Sequence, residues 1–520
     1  MKSRHLKIVR VAVSVLIFLP AAFMFLDLTG ALSPGFIGAL TALQAGPSII
    51  MGVTSAGWGL AVTAGIIVLT LLFGRVYCST LCPLGTLQDF ISRLNRKRHS
   101  TRRFTHRPAN HLLHYGLLLL ATVLACGGSM FMLNLLEPFS NFGRGMSLLV
   151  RPLAVLANNG VAALLGSVAR YSVEAYPLQT PEPGVVLIPL LFFSTLGFMS
   201  YRRGRLFCNS LCPVGALLGL VSRFSIFRIV IDRESCLDCG LCGKVCKSEC
   251  IDTRHLSVDF SACVGCFNCM EVCPTSGLKF ARGKQGRESM EETPVSRRRR
   301  RILKGAVSGA AAVAMIPADS LKIASAPAAG RSRTALPVTP AGSRGIEHLT
   351  ARCTACHLCV SACPTQILVP AFLQYGLDGI LQPHMDYGAG SCTYECVLCG
   401  QVCPSGAILP LTIQAKKLVQ VGKARFVKDE CVVVKKKTAC GACAEHCPTK
   451  AVRMVKYEGK LMIPELNNDL CIGCGACEHP CPTTPDKAIY VESNPVHLVA
   501  KLPETKKPDL LPVGQSDFPF

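Results

Sequence analysis

The chain has 520 residues, half of them hydrophobic, with 17% charged residues and a mean hydropathy of +0.38. That length indicates several domains, and the composition excludes a purely soluble chain in favour of a membrane portion with soluble portions attached. The formal net charge of +23 does not indicate a nucleic-acid partner, because much of it lies in short runs beside apolar segments, where cytoplasmic membrane flanks carry it.

Four apolar stretches are predicted to span a bilayer, roughly over 9–27, 52–73, 112–134 and 184–201, each near the ~20 residues a crossing needs. Lys2, Arg4, Lys7 and Arg10 precede the first, eight Lys/Arg run from Arg75 to Arg107, and Arg202, Arg203 and Arg205 follow the fourth. The stretch 134–183 holds only Arg144, Arg151 and Arg170. The positive-inside rule therefore expects the N-terminus, the 75–111 loop and the chain beyond 202 in the cytoplasm. Two weaker apolar stretches, 34–50 and 147–168, are interrupted by proline, glycine and asparagine and are expected to be outer-face surface or re-entrant segments.

The membrane portion contains a repeat. Residues 74–94, GRVYCSTLCPLGTLQDFISRL, match 204–224, GRLFCNSLCPVGALLGLVSRF, at a constant offset of 130. Cysteines four apart share a face if the segment is helical. Cys78, Cys82, Cys208 and Cys212 are thus predicted to converge on one redox or metal site at the cytoplasmic edge; the plainer alternative is that they only pack.

Of the 30 cysteines, 24 fall into six tight groups, and five of these groups end in Cys-Pro. A disulfide framework belongs mainly to small secreted domains, so thiols packed this densely point to metal-bound thiolates. Cys236, Cys239, Cys242 and Cys246 follow C-x2-C-x2-C-x3-C, and Cys263, Cys266, Cys269 and Cys273 repeat it. In two-cluster ferredoxins the fourth cysteine of each run crosses to the other cubane. The expected sets are therefore Cys236, Cys239, Cys242 with Cys273, and Cys263, Cys266, Cys269 with Cys246. Zinc, which takes four ligands usually as two separated pairs, does not suit such triple runs. Lys247 stands where proline is usual, and Cys250 is an additional thiol, expected to be free.

Beyond a polar linker, the string RRRRRILK over 297–304 approximates a twin-arginine export signal, with Arg299 and Arg300 as the pair. The apolar stretch 305–318 after it suits a signal h-region, and Ala324-Ser-Ala326 resembles a cleavage site that Pro327 argues against. The second soluble block repeats the cysteine pattern four times: Cys353/Cys356/Cys359/Cys363, Cys392/Cys396/Cys399/Cys403, Cys431/Cys440/Cys443/Cys447 and Cys471/Cys474/Cys477/Cys481. Spacing alone leaves open which groups exchange their fourth cysteine. Cys353-Thr-Ala-Cys356-His357 formally matches covalent haem attachment, but that reading would strand Cys359 and Cys363, so no haem is expected.

These motifs divide the chain into a membrane domain (1–230), a two-cluster domain (231–285), a linker with the signal-like segment (286–345), a four-cluster domain (346–492) and a tail (493–520). The expected fold class is multi-domain: an α-helical membrane portion of four spans plus a signal-like fifth segment, with two α+β bacterial-ferredoxin-like domains carrying about six [4Fe-4S] clusters in all. Residues 1–285 resemble the NapH-type membrane quinol-dehydrogenase components, and residues 295–492 resemble the NapG/MauM-type exported four-cluster ferredoxins. The resemblance implies an inner-membrane electron-transfer protein that takes electrons from the quinol pool to a periplasmic redox partner, with the first ferredoxin domain cytoplasmic and the second periplasmic. It also implies that the four groups of the second block pair first with fourth and second with third. Related membrane ferredoxins serve metalloenzyme maturation or metal reduction, and a plain cytoplasm-to-periplasm conduit is a third possibility. The sequence identifies no quinone pocket.

Overall fold

A computed structural model of the chain describes residues 3–55, 57–98, 104–107, 110–167, 172–178, 181–282 and 336–501. The twin-arginine-like segment, the apolar stretch 305–318, Ala326 and the tail beyond 501 lie outside the described residues.

Helix α1 (Ser3–Leu26) is a single apolar helix long enough for a crossing. Helices α2 (Pro34–Ala42) and α3 (Ala45–Ser55) follow, meeting at a bend of 92°. Ser33 starts α2 by accepting the Phe36 N–H, with Pro34 pre-set in the first turn. Helix α4 (Trp58–Phe73) folds back along α3, so closely that a Cβ on Gly59 would lie 2.6 Å from the Gly52 nitrogen. The expected span 52–73 is therefore two helices, broken at Gly57. After α5 (Tyr77–Thr80) and α6 (Pro83–Arg98), helix α7 (His111–Cys126) stops at Gly127 and Gly128, short of the expected 134.

A second bent pair, α8 (Phe131–Leu136) and α9 (Pro138–Gly145), hinges at Glu137, whose carboxylate accepts the N–H groups of Phe139 and Ser140. The two bent pairs meet: a Cβ on Gly46 would collide with the Glu137 side chain. Helix α9 runs through a π turn (Met146–Val150) into α10 (Arg151–Gly166), so 138–166 is itself long and apolar enough to cross. The stretch 147–168, expected at the surface, is thus the end of a longer helix whose first turns are too polar to be noticed. Helix α11 (Pro183–Arg203) matches its expected span. By length and composition, three helices among the described residues could cross a membrane, or four if α2 and α3 count as one broken span. Leu16 and Leu19 on α1, Leu60 and Val68 on the shorter α4, and Leu187, Leu191 and Phe198 on α11 are exposed, an apolar surface of the kind lipid covers.

Inside the bundle, Phe25, Phe139 and Phe142 are fully buried, and Phe18 meets Phe142 edge-on at 5.6 Å. Such ring pairs contribute about 0.5–1.5 kcal/mol each beyond their buried area and here fasten α1 to α9. Short helices α12 (Leu206–Ser210) and α13 (Pro213–Ser222) then lead into the first soluble block. There β1 (Phe227–Ile231) pairs antiparallel with β4 (Leu278–Arg282), Ile229 opposite Phe280, around the small ladder of β2 (Ile251–Asp252) and β3 (Ser257–Val258). Phe73, at the end of α4, stacks on Phe227 at 5.6 Å and seats this block against the helices. The second block contains three antiparallel pairs: β5 (Leu368–Pro370) with β6 (Pro383–Met385), β7 (Val419–Phe426) with β10 (Ile489–Val499), and β8 (Val452–Lys456) with β9 (Met462–Leu466).

The two blocks sit at different ends of α1. Lys7 pairs with Glu271 of the first block. Phe25 packs on Gly143, and Gly143 leaves no room for a Cβ against the Cys356 carbonyl of the second block. At 1.5 Å per residue, Lys7 and Phe25 stand about 27 Å apart along the helix. Gly143→Leu should therefore force the second block off the bundle, at a cost of about 1–3 kcal/mol for the overpacked contact. Limited proteolysis of the detergent-solubilised protein would show faster cleavage near residue 345; an unchanged pattern would mean that this contact does not hold the block.

Candidate functional site

The structure gathers the 24 group cysteines in fours. Cys273 shares one cavity with Cys236, Cys239 and Cys242. Cys246 faces Cys263, Cys266 and Cys269. The expected crossing of the fourth cysteine is thus the arrangement found in the first block. Cys250 is not remote from it. Its buried sulfur lies 3.5 Å from Cys246 Sγ and also against Cys263.

In the second block, Cys403 faces Cys353, Cys356 and Cys359, while Cys363 joins Cys392, Cys396 and Cys399 around one cavity. Cys447 faces Cys471, Cys474 and Cys477, and Cys481 stands with Cys440 and Cys443 in the core that also holds Cys431. Groups therefore pair with their sequence neighbours, first with second and third with fourth, and the first-with-fourth pairing implied by the resemblance is overturned. Backbone N–H groups point at several sulfurs: Ala355 to Cys353, Ile408 to Cys403 and Ala424 to Cys471, each at 3.4 Å. Donors of this kind favour the thiolate that a cluster needs. No three or more His, Cys, Asp or Glu among the described residues stand close enough to hold one metal ion directly. The thiols are spread around cavities instead.

Cys78, Cys82, Cys208 and Cys212 come together, all buried, in one core cluster. The Cys-Pro pairs start helices: Pro83 opens α6 and Pro213 opens α13, where Cys212 Sγ accepts the Gly215 N–H at 3.3 Å. Gly85 gives Cys82 the same N–H. Glycine is needed there because a Cβ on either residue would run into the carbonyl of Cys78 or Cys208. The thiols so placed face a helix N-terminus, which favours negative sulfur. Two fully buried arginines cross between the repeats. Arg75 Nη1 donates to the Gly215 carbonyl at 3.0 Å, and Arg205 Nη1 to the Cys78 carbonyl at 2.6 Å. Burial still pushes the Cys78 thiol up to about 11, against the pull of both arginines. Gln88 Nε2 donates to Cys208 Sγ at 3.4 Å, and His114 Nε2 donates to the Cys212 carbonyl at 3.1 Å. Arg75 Nε also reaches toward the Cys263 carbonyl at 3.5 Å, linking this site to the first block.

Two family models match parts of the chain. A 4Fe-4S binding domain matches residues 55–101 and 185–231, the two membrane repeats, and a 4Fe-4S dicluster domain matches 352–407 and 438–484. Ferredoxin-type protein NapH of Haemophilus influenzae is 26% identical over 231 residues, 42% of this chain and 67% of its own length. The chain is similar to the NapH-type ferredoxin proteins. It carries further 4Fe-4S domains and is an iron–sulfur electron-transfer protein. The putative electron transport protein YccM of Escherichia coli is 30% identical over 223 residues, and the chain spans about half (53%) of that relative's length. Methylamine utilization ferredoxin-type protein MauM of Methylophilus methylotrophus is 30% identical over 149 residues, 27% of this chain and 65% of its own length. No solved structure matches.

What joins this ferredoxin-type chain's parts is a largely buried carboxylate. Asp89 on α6 meets Arg205 Nε at 2.7 Å, Lys247 Nζ at 2.7 Å and Arg10 Nη1 at 2.9 Å. Burial alone would raise its pKa, yet Arg205, Lys247 and Arg10 hold it well below the usual carboxylate range. Lys247, in place of the usual proline, is the residue the first block extends to this centre. At the other end, His357 Nε2 donates to the Leu381 carbonyl at 2.8 Å, leaving Nδ1 to accept from the Ser147 hydroxyl at 3.1 Å. Burial and Arg144 push this imidazole down to about 3, so it docks as the neutral ring. Arg151 Nη1 adds a 2.6 Å bond to the Ser361 carbonyl.

Asp89→Asn would leave three buried cations without their counter-charge, a loss of about 3–5 kcal/mol by analogy with other broken buried pairs. The melting temperature of the detergent-solubilised protein should fall. Lys247→Met added to Asp89→Asn should recover part of it, because one unpaired charge is removed. Equal melting temperatures for the wild type and Asp89→Asn would show that the carboxylate is dispensable.

Proposed function

We propose that the chain takes electrons from the quinol pool and passes them, through clusters held at both ends of one helix bundle, to a redox partner protein in the periplasm. The observation that carries this reading is the spatial order of the thiol sets. The set of Cys236 adjoins that of Cys263, which adjoins the four-thiol site through Arg75. Beyond the bundle, the set of Cys353 lies against Gly143, and the set of Cys392 touches that of Cys474 through a 2.9 Å bond from the Cys392 N–H to the Cys474 carbonyl. The set of Cys440 ends the series. Four thiolates of one set would hold a [4Fe-4S] cluster, which supplies one-electron transfer when bound. The protein's own part is to fix the order of the sets, to bury them and to aim N–H groups at their sulfurs.

The Cys78, Cys82, Cys208 and Cys212 site, too open to hold a single metal ion directly, is read as a further redox centre linking the helices to the first block. The basic flanks assign the first block to the cytoplasm, and the twin-arginine-like string assigns the second to the periplasm. A second reading, a conduit from a cytoplasmic reductant, is favoured by Cys239, an exposed thiol of the outermost set of the first block.

Anaerobically purified protein should contain about 24 iron and equal sulfide in the six ferredoxin-type sets, with more if the four-thiol site is loaded. Menaquinol added to membranes should reduce them; reduction by a cytoplasmic ferredoxin but not by quinol would select the conduit reading. A phosphatase fused near residue 345 should be active, and Arg299→Lys with Arg300→Lys should abolish that activity. Cys78→Ser and Cys208→Ser should cause similar losses of electron transfer, with little further loss when combined, since one shared site fails once. Normal transfer in all four single serine variants would make the motif structural.

A further inference from the structure

The series of thiol sets ends at Cys431, Cys440, Cys443 and Cys481, and this end differs from the one against the helices. Cys353, Cys356 and Cys359 are buried, whereas Cys440 and Cys443 are partly exposed. The elements around them, 428–466, pair with strands of their own block. They also carry a basic patch. From Lys428 to Leu466 the chain has eight Lys or Arg against five Asp or Glu. Two of those acids are already engaged, Glu430 with Lys435 at 2.6 Å and Glu458 with Lys437 at 2.5 Å. Arg453 stands opposite Glu465 in the β8–β9 pair, and the surplus is carried by Lys428, Lys436, Lys450, Lys456 and Lys460, all exposed.

The patch is continuous with the thiol set. Tyr457, in the turn between β8 and β9, packs on the core that holds Cys431, Cys440, Cys443 and Cys481. Lys428 Nζ stands 4.7 Å and Lys437 Nζ 5.6 Å from its ring centre. Lys435, Lys436 and Lys437 lead directly into Cys440, and Lys487 Nζ donates to the Cys481 carbonyl. A run of charge is most often a solvated face. Here it surrounds the last set of the series, two of whose thiols, Cys440 and Cys443, are partly exposed.

We propose that this face, Lys428, Lys435–Lys437, Lys456 and Lys460 around Tyr457, is the docking surface for a soluble redox protein with an acidic surface around its own centre. The inference rests on the electron-transfer reading and adds the exit point and the chemistry of the acceptor. Opposite potentials would steer encounter and bring the acceptor's centre to the partly exposed thiol set, and such steering weakens as salt screens it. In each productive encounter one electron leaves a reduced cluster and one acceptor metal is reduced.

The test uses the full-length protein in detergent, reduced with dithionite and freed of excess reductant. Two probes are mixed with it in stopped flow: plant plastocyanin, an acidic copper protein, and mitochondrial cytochrome c, a basic haem protein. The rate to plastocyanin should fall with ionic strength. A triple variant, Lys436→Glu, Lys437→Glu and Lys460→Glu, should lose about tenfold toward plastocyanin at low salt and gain toward cytochrome c, with both differences vanishing at high salt. Its iron content and its reduction by dithionite should equal the wild type's, which separates a docking defect from a folding defect. Triple-variant rates within twofold of wild type for both probes would overturn the inference and leave the electron-transfer reading standing. If those rates are unchanged while phosphatidylglycerol shifts the melting temperature of the wild type alone, the patch serves lipid and the inference fails. Clusters that accept no electron from dithionite would sink both.

Discussion

One carboxylate with three cations holds the membrane half of this molecule to its first soluble block. Asp89 is reached by Arg10 from α1, by Arg205 from the second repeat and by Lys247 from the cysteine-rich block, so three separate stretches of chain close on one largely buried point. A lone buried charge is expensive, and each partner here is justified only by the others. Because Arg205 also donates to the Cys78 carbonyl, the position of the four-thiol site depends on this cluster as well.

The two halves of the membrane portion use the same local chemistry. In each, Gly-Arg ends an apolar helix, a short helix carries the first cysteine, and a Cys-Pro pair starts the next helix with a glycine N–H on the sulfur. The arginines are exchanged between halves, Arg75 to the second and Arg205 to the first. Duplication followed by this exchange makes the site two-fold in plan while its surroundings differ: Gln88 meets Cys208, and His114 meets the Cys212 carbonyl.

Much of the chemistry was legible in the sequence because thiolate spacing is dictated by the centre it serves. The six groups and the offset-130 repeat pointed to sulfur sets, and the structure gathers the cysteines in fours. The path of the helices was less legible. Apolar content marks what can sit in hydrocarbon but not where the chain turns, and the breaks at Gly57, Gly127 and Glu137 follow from local backbone and cap geometry. Lys247 was visible as a departure from the ferredoxin pattern, while its partner lies 158 positions away in sequence. The pairing within the second block could not be read, because all four groups offer chemically equivalent fourth cysteines.

That pairing bears on how the block is made. With neighbours paired, Cys353 closes with Cys403 over 50 positions, whereas pairing it with Cys481 would span 128. The longer closure would cost only about 0.8 kcal/mol more in chain entropy, so equilibrium stability hardly distinguishes the two. Timing does. A chain grows from its N-terminus, and domains commonly fold as they emerge. The ligands of Cys353 to Cys403 are complete before Cys431 has been synthesised, so the first two sets can be finished and shut while the last two are still being made. No thiol of the early pair has to wait, exposed to oxidation or to a wrong metal, for a partner that arrives at the end of the chain.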